Sequence, residues 1–262
     1  MNHPIITLTT DWGTRDYYVG AVKGKLLQKI PAANIIDVSH HIAPHDIIHA
    51  SFVLKNILSC YPDNTIHIIG VDTNESSDTP HTIVKWHNQY FIGTDNGIFS
   101  LISDEHPEKI IHLDIHQESD YFTFATRDLF CKAAALLAEG HSLNSLGYEA
   151  TSLKKLQTFQ PVVSENTIRA KVIHIDRYQN LITNIHHQTF YDVGRNKAFE
   201  LHFHNKQYNI EKLHNSYNEV NEAEMMALFG TSGFLEIALN RGKASELLGM
   251  GLDAAVIVEF KD

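Results

Sequence analysis

The sequence predicts two domains: an α/β N-terminal domain with a mostly parallel sheet flanked by helices, and a smaller, mainly β, barrel-like C-terminal domain. Three observations predict this. Residues 1–158 alternate short β-rich runs with helical ones, which is how parallel strands and crossover helices read in sequence. Around Gln160 and Pro161 the chain turns polar and turn-prone, so a linker is placed at 159–167. From 168 to 262 strand composition dominates, with one late helical patch.

The elements follow in order. Pro4–Thr9 is an apolar run that reads as the first buried strand, and Tyr17–Ile30 has a helical pattern. Asn34–Ser39 reads as a strand, Asp46–Cys60 as a helix and Thr65–Val71 as a strand. Thr82–His87 and Gln89–Gly93 form a hairpin-like pair, and Ile98–Ile102 and Ile110–Ile115 are further β-rich runs. Arg127–Glu139 contains an alanine- and leucine-rich block of strong helix formers, and Gly140 stops it as a left-handed cap would. In the second domain Ile168–Asp176, Phe199–His204 and Ala254–Phe260 have strand composition. The polar, acidic stretch Asn215–Ala227 reads as a loop with a helical turn.

The chain has 262 residues, enough for a sizeable core, and a formal net charge of −10. That charge argues against nucleic-acid and anionic-membrane partners and suits a cationic small molecule. Cys60 and Cys131 both lie in apolar helical patterns and read as small buried hydrophobes in a reducing compartment. No basic-then-apolar leader opens the sequence, and no apolar run approaches the roughly 20 residues that span a bilayer. The expectation is a cytoplasmic protein. The 18 histidines invite a metal reading, since His202 and His204 share one face of a strand. A solvated polar face is the better account, because no further ligand spacing accompanies them. No metal and no cofactor are expected.

Four polar clusters stand at the ends of apolar strands or at a helix start. The first is Asp11 with Asp16, where a strand ends, turns at Gly13 and enters a helix. The carboxyl edge of an α/β sheet is where ligands bind, although Asp16 as a helix cap and Asp11 as a turn residue remain open. The second is Gly70-Val71-Asp72, a carboxylate delivered to the same edge. The third is Phe124–Asp128, with a hydroxyl at Thr126 and a charge pair, Arg127 and Asp128, that also reads as a surface pair. The fourth, Asp176–Asn184, holds Asn180 and Asn184, which taken alone are turn residues. A cluster in each domain points to a site shared across a domain or subunit boundary.

These residues carry a resemblance. Thr9–Gly24, with Asp11, Trp12, Gly13, Asp16, Lys23 and Gly24 in place, is similar to the opening signature of the SAM hydrolase and halogenase family. Ile175–Ile185 and Gly233–Asn240 resemble its second and third motifs, and Thr123–Asp128 matches a fourth in part. The resemblance implies a homotrimer whose SAM or adenosine site lies between subunits. It implies that Asp11 grips the ribose hydroxyls and that Asp16 and Asp176 hold the methionine ammonium. Tyr178 and Asn180 would lie along the adenosine, and Thr231 would face the methionine. Ionised carboxylates suit both a diol and an ammonium.

The family reaction is displacement at the ribose 5′ carbon, with methionine leaving as a neutral thioether. Here the protein mainly orients the reactants and desolvates the nucleophile. In the hydrolytic branch an Asp-Arg-His set holds the water. Asp72 matches the aspartate, but Thr79 stands at the arginine position and Ala125 at the histidine position. His81 is a candidate replacement partner. Thr126, beside Arg127, occupies the place of a halide-binding serine. The expectation is adenosine-forming SAM hydrolysis, slowed by those two replacements, with Asp72, Thr126 and Arg127 at the reacting end. The alternatives are a SAM or adenosine binder with little turnover and a SAM-dependent halogenase.

Overall fold

β1 (Ile5–Thr10) is buried on both faces, as an apolar strand inside a layered α/β fold must be. It belongs to the first of two compact units, Met1–Gln157 and Thr158–Asp262. The computed structural model describes residues 3–103, 105–117, 119–157, 159–203 and 208–261.

In the first unit the chain continues through α1 (Tyr18–Lys29), β2 (Asn34–Ser39), α2 (Ile47–Lys55), β3 (Ile66–Gly70), β4 (His81–Trp86) and β5 (Gln89–Thr94). It ends with α3 (Ile98–Ile102), β6 (Lys109–Leu113), α4 (Cys131–Ala138) and β7 (Gly147–Glu149). The sheet order is β2-β1-β3-β5-β4-β6-β7. Pairing is parallel from β2 to β5 and antiparallel from β5 to β7. The helix-flanked sheet is as expected, but it is mixed where a mostly parallel one was anticipated. The two-residue connection between β4 and β5 is the reason, because a link that short can only reverse the chain.

Alternation along the strands feeds two cores. Ile6 and Leu8 of β1 and Ile66 and Ile68 of β3 pack with Val22 and Leu26 of α1 and with Phe130 and Ala134. On the other face Ile69 and Phe91 meet Ala50 and Leu54 of α2 and Phe99 of α3. Asp46 caps α2 by accepting from the His49 N–H at 2.9 Å.

Three local expectations are corrected in this unit. Ile98–Ile102 is helix, not strand: the run is too short for its period to show, and Gly97 at φ 107° turns it inward so that four of its five residues are buried. The helix expected over 46–60 stops at Lys55 and resumes only as a 3-10 turn, Leu58–Cys60. That leaves Cys60 exposed, whereas Cys131 is buried. Gly140 does end α4 in the left-handed region, at φ 87°.

The second unit holds β8 (Val162–Ser164), β9 (Thr167–Ile175), β10 (Leu181–His186), α5 (His187–Gly194), β11 (Phe199–Phe203) and β12 (Asn209–Ile210). β13 (Leu213–His214), β14 (Met225–Phe229), β15 (Phe234–Leu239), α6 (Ala244–Leu248) and β16 (Ala255–Phe260) complete it. The sheet order is β12-β11-β16-β9-β10-β15-β14-β13, with β8 on β9. β12 also approaches β14, so the sheet curls toward a barrel around Ile168, Leu181, Leu201, Leu235 and Val258. Within the stretch read as linker, β8 pairs with the start of β9.

Two segments of this unit differ from expectation. α5 is an unanticipated helix, formed because Phe190 finds a ring pocket of Phe199, Phe229 and Phe260. Gly194 lets Phe260 close on it, since a Cβ there would sit 2.4 Å from that ring. Met225–Ala227, expected in a loop, begins β14, because pairing with β15 outweighs the polar sequence before it.

Candidate functional site

At the carboxyl edge of the first sheet, β1 hands over to Asp11, Trp12 and Gly13. Gly13 takes φ 67° and donates its N–H to the His40 carbonyl at 2.7 Å. The His40 ring fastens the same turn from beneath. Its Nδ1 is 2.8 Å from Thr10 Oγ1, and its Nε2 is 3.0 Å from Asp37 Oδ1. Lys23 Nζ donates to the other Asp37 oxygen at 2.6 Å. Partial burial pulls the Asp37 carboxyl upward, but the bonds from Lys23 and His40 outweigh it and leave its pKa lowered.

Asp11 is half-buried, and its Oδ2 accepts from the backbone N–H of His45 at 2.9 Å. Asp72 arrives two residues after β3, in the left-handed region at φ 46°. Its Oδ1 lies 3.1 Å from His45 Nδ1, and its carbonyl accepts from Asn96 Nδ2 at 3.0 Å. One residue of the β2–α2 loop therefore touches both carboxylates. Asp16 is exposed and caps nothing: the N-cap position of α1 is Tyr17, with no side-chain cap.

An aromatic platform adjoins this edge. Trp12 meets Phe124 edge-on at 5.3 Å, and Tyr18 meets Phe124 at 5.4 Å. Trp12 also lies over Gly70, where a Cβ would stand 2.6 Å from its ring. Beyond Phe124 the chain enters a π-helical turn, Thr126–Phe130, a form concentrated at functional sites. Thr126 is buried, and its hydroxyl has no hydrogen-bond partner among the described residues. Arg127 forks onto Asp128 with two bonds of 2.6 Å. Asp128 is buried, so the pair is a partly desolvated clamp and not a surface pair. That bond to Asp128 raises the Arg127 pKa further.

Thr79 turns into its own loop, with Oγ1 2.7 Å from Ser76 Oγ and donating to the Asn74 carbonyl at 3.3 Å. Ala125 is buried and offers no polar group. His81 places Nε2 3.0 Å from the Thr73 carbonyl and Nδ1 3.5 Å from Glu75.

The second unit carries its own acidic set. Asp176 follows β9 and accepts from both the backbone N–H and Nδ2 of Asn180, at 2.8 and 3.0 Å. This closes a turn in which Gln179 takes φ 67° and Tyr178 projects 77 % exposed. Asn180 is buried, and Thr231 is exposed in the turn between β14 and β15. Glu236 is buried on β15 and accepts from Tyr217 Oη at 2.6 Å. Burial raises the Glu236 pKa, the Asp176 charge adds to that, and the Tyr217 bond opposes it. The Tyr217 hydroxyl is pushed up by burial and by Glu236.

Sequence reasoning brought Asp11 and Asp72 to one edge but missed His45, Tyr217 and Glu236. Glu236 had a visible signal, a lone carboxylate inside an apolar strand. His45 had none, because its partners are 34 and 27 residues away. His202 lies 3.5 Å from Glu259, its proposed companion His204 falls outside the described residues, and no three-residue metal-ligand group occurs among the described residues.

Residues 6–147 match the SAM hydroxide adenosyltransferase N-terminal domain, and residues 170–257 match the corresponding C-terminal domain. An (R)-S-adenosyl-L-methionine hydrolase of Methanocaldococcus jannaschii is 30% identical over 256 residues, covering 94% of this chain and 92% of its own. A protein of the same name from Thermus thermophilus is 27% identical over 258 residues, covering 92% and 94%. Among solved structures, an uncharacterized conserved protein from Thermotoga maritima superposes with a TM-score of 0.87 at 28% identity, over 97% of this chain and 99% of its own. A conserved hypothetical protein, also from Thermus thermophilus, gives 0.73 at 26% identity, over 99% and 100%.

Proposed function

This chain belongs to the SAM hydroxide adenosyltransferase family across both of its domains, and from that premise we propose that it hydrolyses (R)-S-adenosyl-L-methionine to adenosine and L-methionine. The observation that carries the reading is the edge itself, where Asp11 and Asp72 are held together by one residue. The relatives' shared name supplies the configuration at sulfur.

In the proposed reaction a water oxygen bonds to the ribose 5′ carbon while the carbon–sulfur bond breaks. The electron pair leaves on sulfur, so the positive sulfonium becomes a neutral thioether, and one water proton is released to solvent as the 5′-hydroxyl forms. Asp11 receives the ribose diol, which an ionised carboxylate binds through two charge-assisted bonds. Asp16 and Asp176 face the ammonium, Tyr178 and Asn180 the adenosine, and Thr231 the methionine end. Thr126 and Arg127 border the water, with Arg127 fixed by Asp128. We also propose a cytoplasmic homotrimer whose neighbouring subunits each contribute residues to one substrate. No helix of the described residues is long and apolar enough to cross a membrane.

The experiment is incubation of purified protein with each sulfonium epimer, followed by chromatography for adenosine and methionine. Equimolar release from the (R) epimer is expected. Recovery of both epimers intact refutes the reading and leaves a binder, the outcome that Thr79 and Ala125 favour. The unpartnered Thr126 hydroxyl favours a second reading, halide attack. It requires a chloride-dependent 5′-halo product, and halide-independent turnover rules it out.

A further inference from the structure

We propose that His45 is the base that takes the proton from the attacking water, held for that task by Asp72. The inference rests on the hydrolase reading above. His45 Nδ1 lies 3.1 Å from Asp72 Oδ1. An ionised carboxylate only accepts hydrogen bonds, so the ring proton sits on Nδ1 and Nε2 keeps its lone pair. The side chain is 72% exposed, so the ring stays accessible at the sheet edge. Its backbone N–H is fixed on Asp11 Oδ2, which ties the base to the carboxylate assigned to the ribose.

Backbone geometry is the second line of support. His45 at φ 63° and Asp72 at φ 46° both occupy the left-handed region without being glycine. His and Asp are residue types that tolerate this region, and the two turns bring their side chains into contact. The third line is substitution. Thr79 is engaged within its own loop, and Ala125 has no polar atom. His81 is occupied with Thr73 and Glu75. Among the described contacts, His45 is the imidazole on Asp72.

In the step, the water oxygen bonds to C5′ as the C5′–S pair departs with methionine. The water proton passes to His45 Nε2, Asp72 stabilises the imidazolium, and the ring then releases the proton to solvent. The carboxylates in contact with His45 are Asp72 after β3, on its ring, and Asp11 after β1, on its backbone N–H, while Asp46, next in the chain, accepts from the His49 N–H.

The test uses His45→Asn and Asp72→Asn in the full chain; asparagine tolerates the left-handed backbone and keeps the N–H on Asp11. Adenosine release is followed across pH 5 to 9, SAM affinity by calorimetry, and the His45 ring by NMR on histidine-labelled protein. His45→Asn is expected to lower kcat at least about ten-fold, to leave the SAM Kd within about two-fold, and to abolish the acid limb of the kcat profile. Asp72→Asn is expected to change the His45 ring nitrogen chemical shifts, because the Nδ1–H loses its carboxylate acceptor. Full kcat with an unaltered profile in His45→Asn, or His45 ring shifts indifferent to Asp72→Asn, overturns the proposal while wild-type turnover keeps the hydrolase reading intact. A wild-type protein that releases no adenosine overturns the hydrolase reading, and the base role falls with it.

Discussion

Acidification should weaken the first unit through one buried imidazole. His67 on β3 is fully buried, stacked on Phe91 at 4.6 Å. Gln89 donates its amide N–H groups to the Leu58 and Tyr61 carbonyls, which aims its oxygen at His67 Nε2, 2.9 Å away. Nε2 therefore carries the proton, and Nδ1 accepts from Thr7 Oγ1 at 2.8 Å. Protonating Nδ1 would reverse that bond and place a charge inside an apolar layer, and this burial lowers the pKa from 6.5 to about 4, although the Gln89 bond opposes it. A depressed histidine pKa contributes stability that is present above 6.5 and lost as pH falls toward 4. At about 1.4 kcal/mol per pH unit, the loss is about 2 kcal/mol by pH 5 and about 3 kcal/mol in full. Trp12 and Trp86, the two tryptophans of the sequence, both lie in the first unit, so their fluorescence reports its urea unfolding alone. The stability difference between pH 7 and pH 5 should shrink by about 2 kcal/mol in His67→Gln. An identical difference in both proteins would refute the assignment, whatever the variant's absolute stability.

Three further outcomes are expected. Asp11→Ala should weaken SAM binding by about 2 kcal/mol, near thirty-fold in Kd by calorimetry, because the ribose diol and the His45 N–H both lose their acceptor. A Kd within two-fold of wild type would remove Asp11 from the ribose. Gly70→Ala should displace Trp12, whose ring would stand 2.6 Å from the new methyl, and so shift the tryptophan emission and lower SAM affinity. An unchanged emission spectrum would show that the platform does not depend on that contact. Tyr217→Phe should cost the second unit about 1–3 kcal/mol by leaving buried Glu236 without its hydroxyl, a loss that circular-dichroism melts would register. Glu236→Gln in the same background should recover part of it.

Local chemistry was legible where sequence neighbours are also spatial neighbours. The alanine-rich α4 with its Gly140 stop and the turn that joins Asp176 to Asn180 four residues later form from contacts close in sequence, and the first strand showed in its own apolar run although its partners are distant. The motifs from Thr9 to Asn240 pointed to the family for a similar reason, since each is a contiguous string at an element end. Illegible parts depended on distant partners. Ile98–Ile102 looks the same as strand or helix until α2 and Trp86 are packed against it. α5 exists because three phenylalanines from elsewhere in its unit enclose Phe190.

Which residues carry charge to the sheet edge is set locally, because strand alternation and turn chemistry act over a few residues. Tertiary structure decided what those charges touch. His45 reaches Asp11 and Asp72 only because parallel pairing places the ends of β1 and β3 side by side and lets the β2–α2 loop fold over them. That choice is made by burial of the whole sheet, a sum over many residues that no short stretch contains.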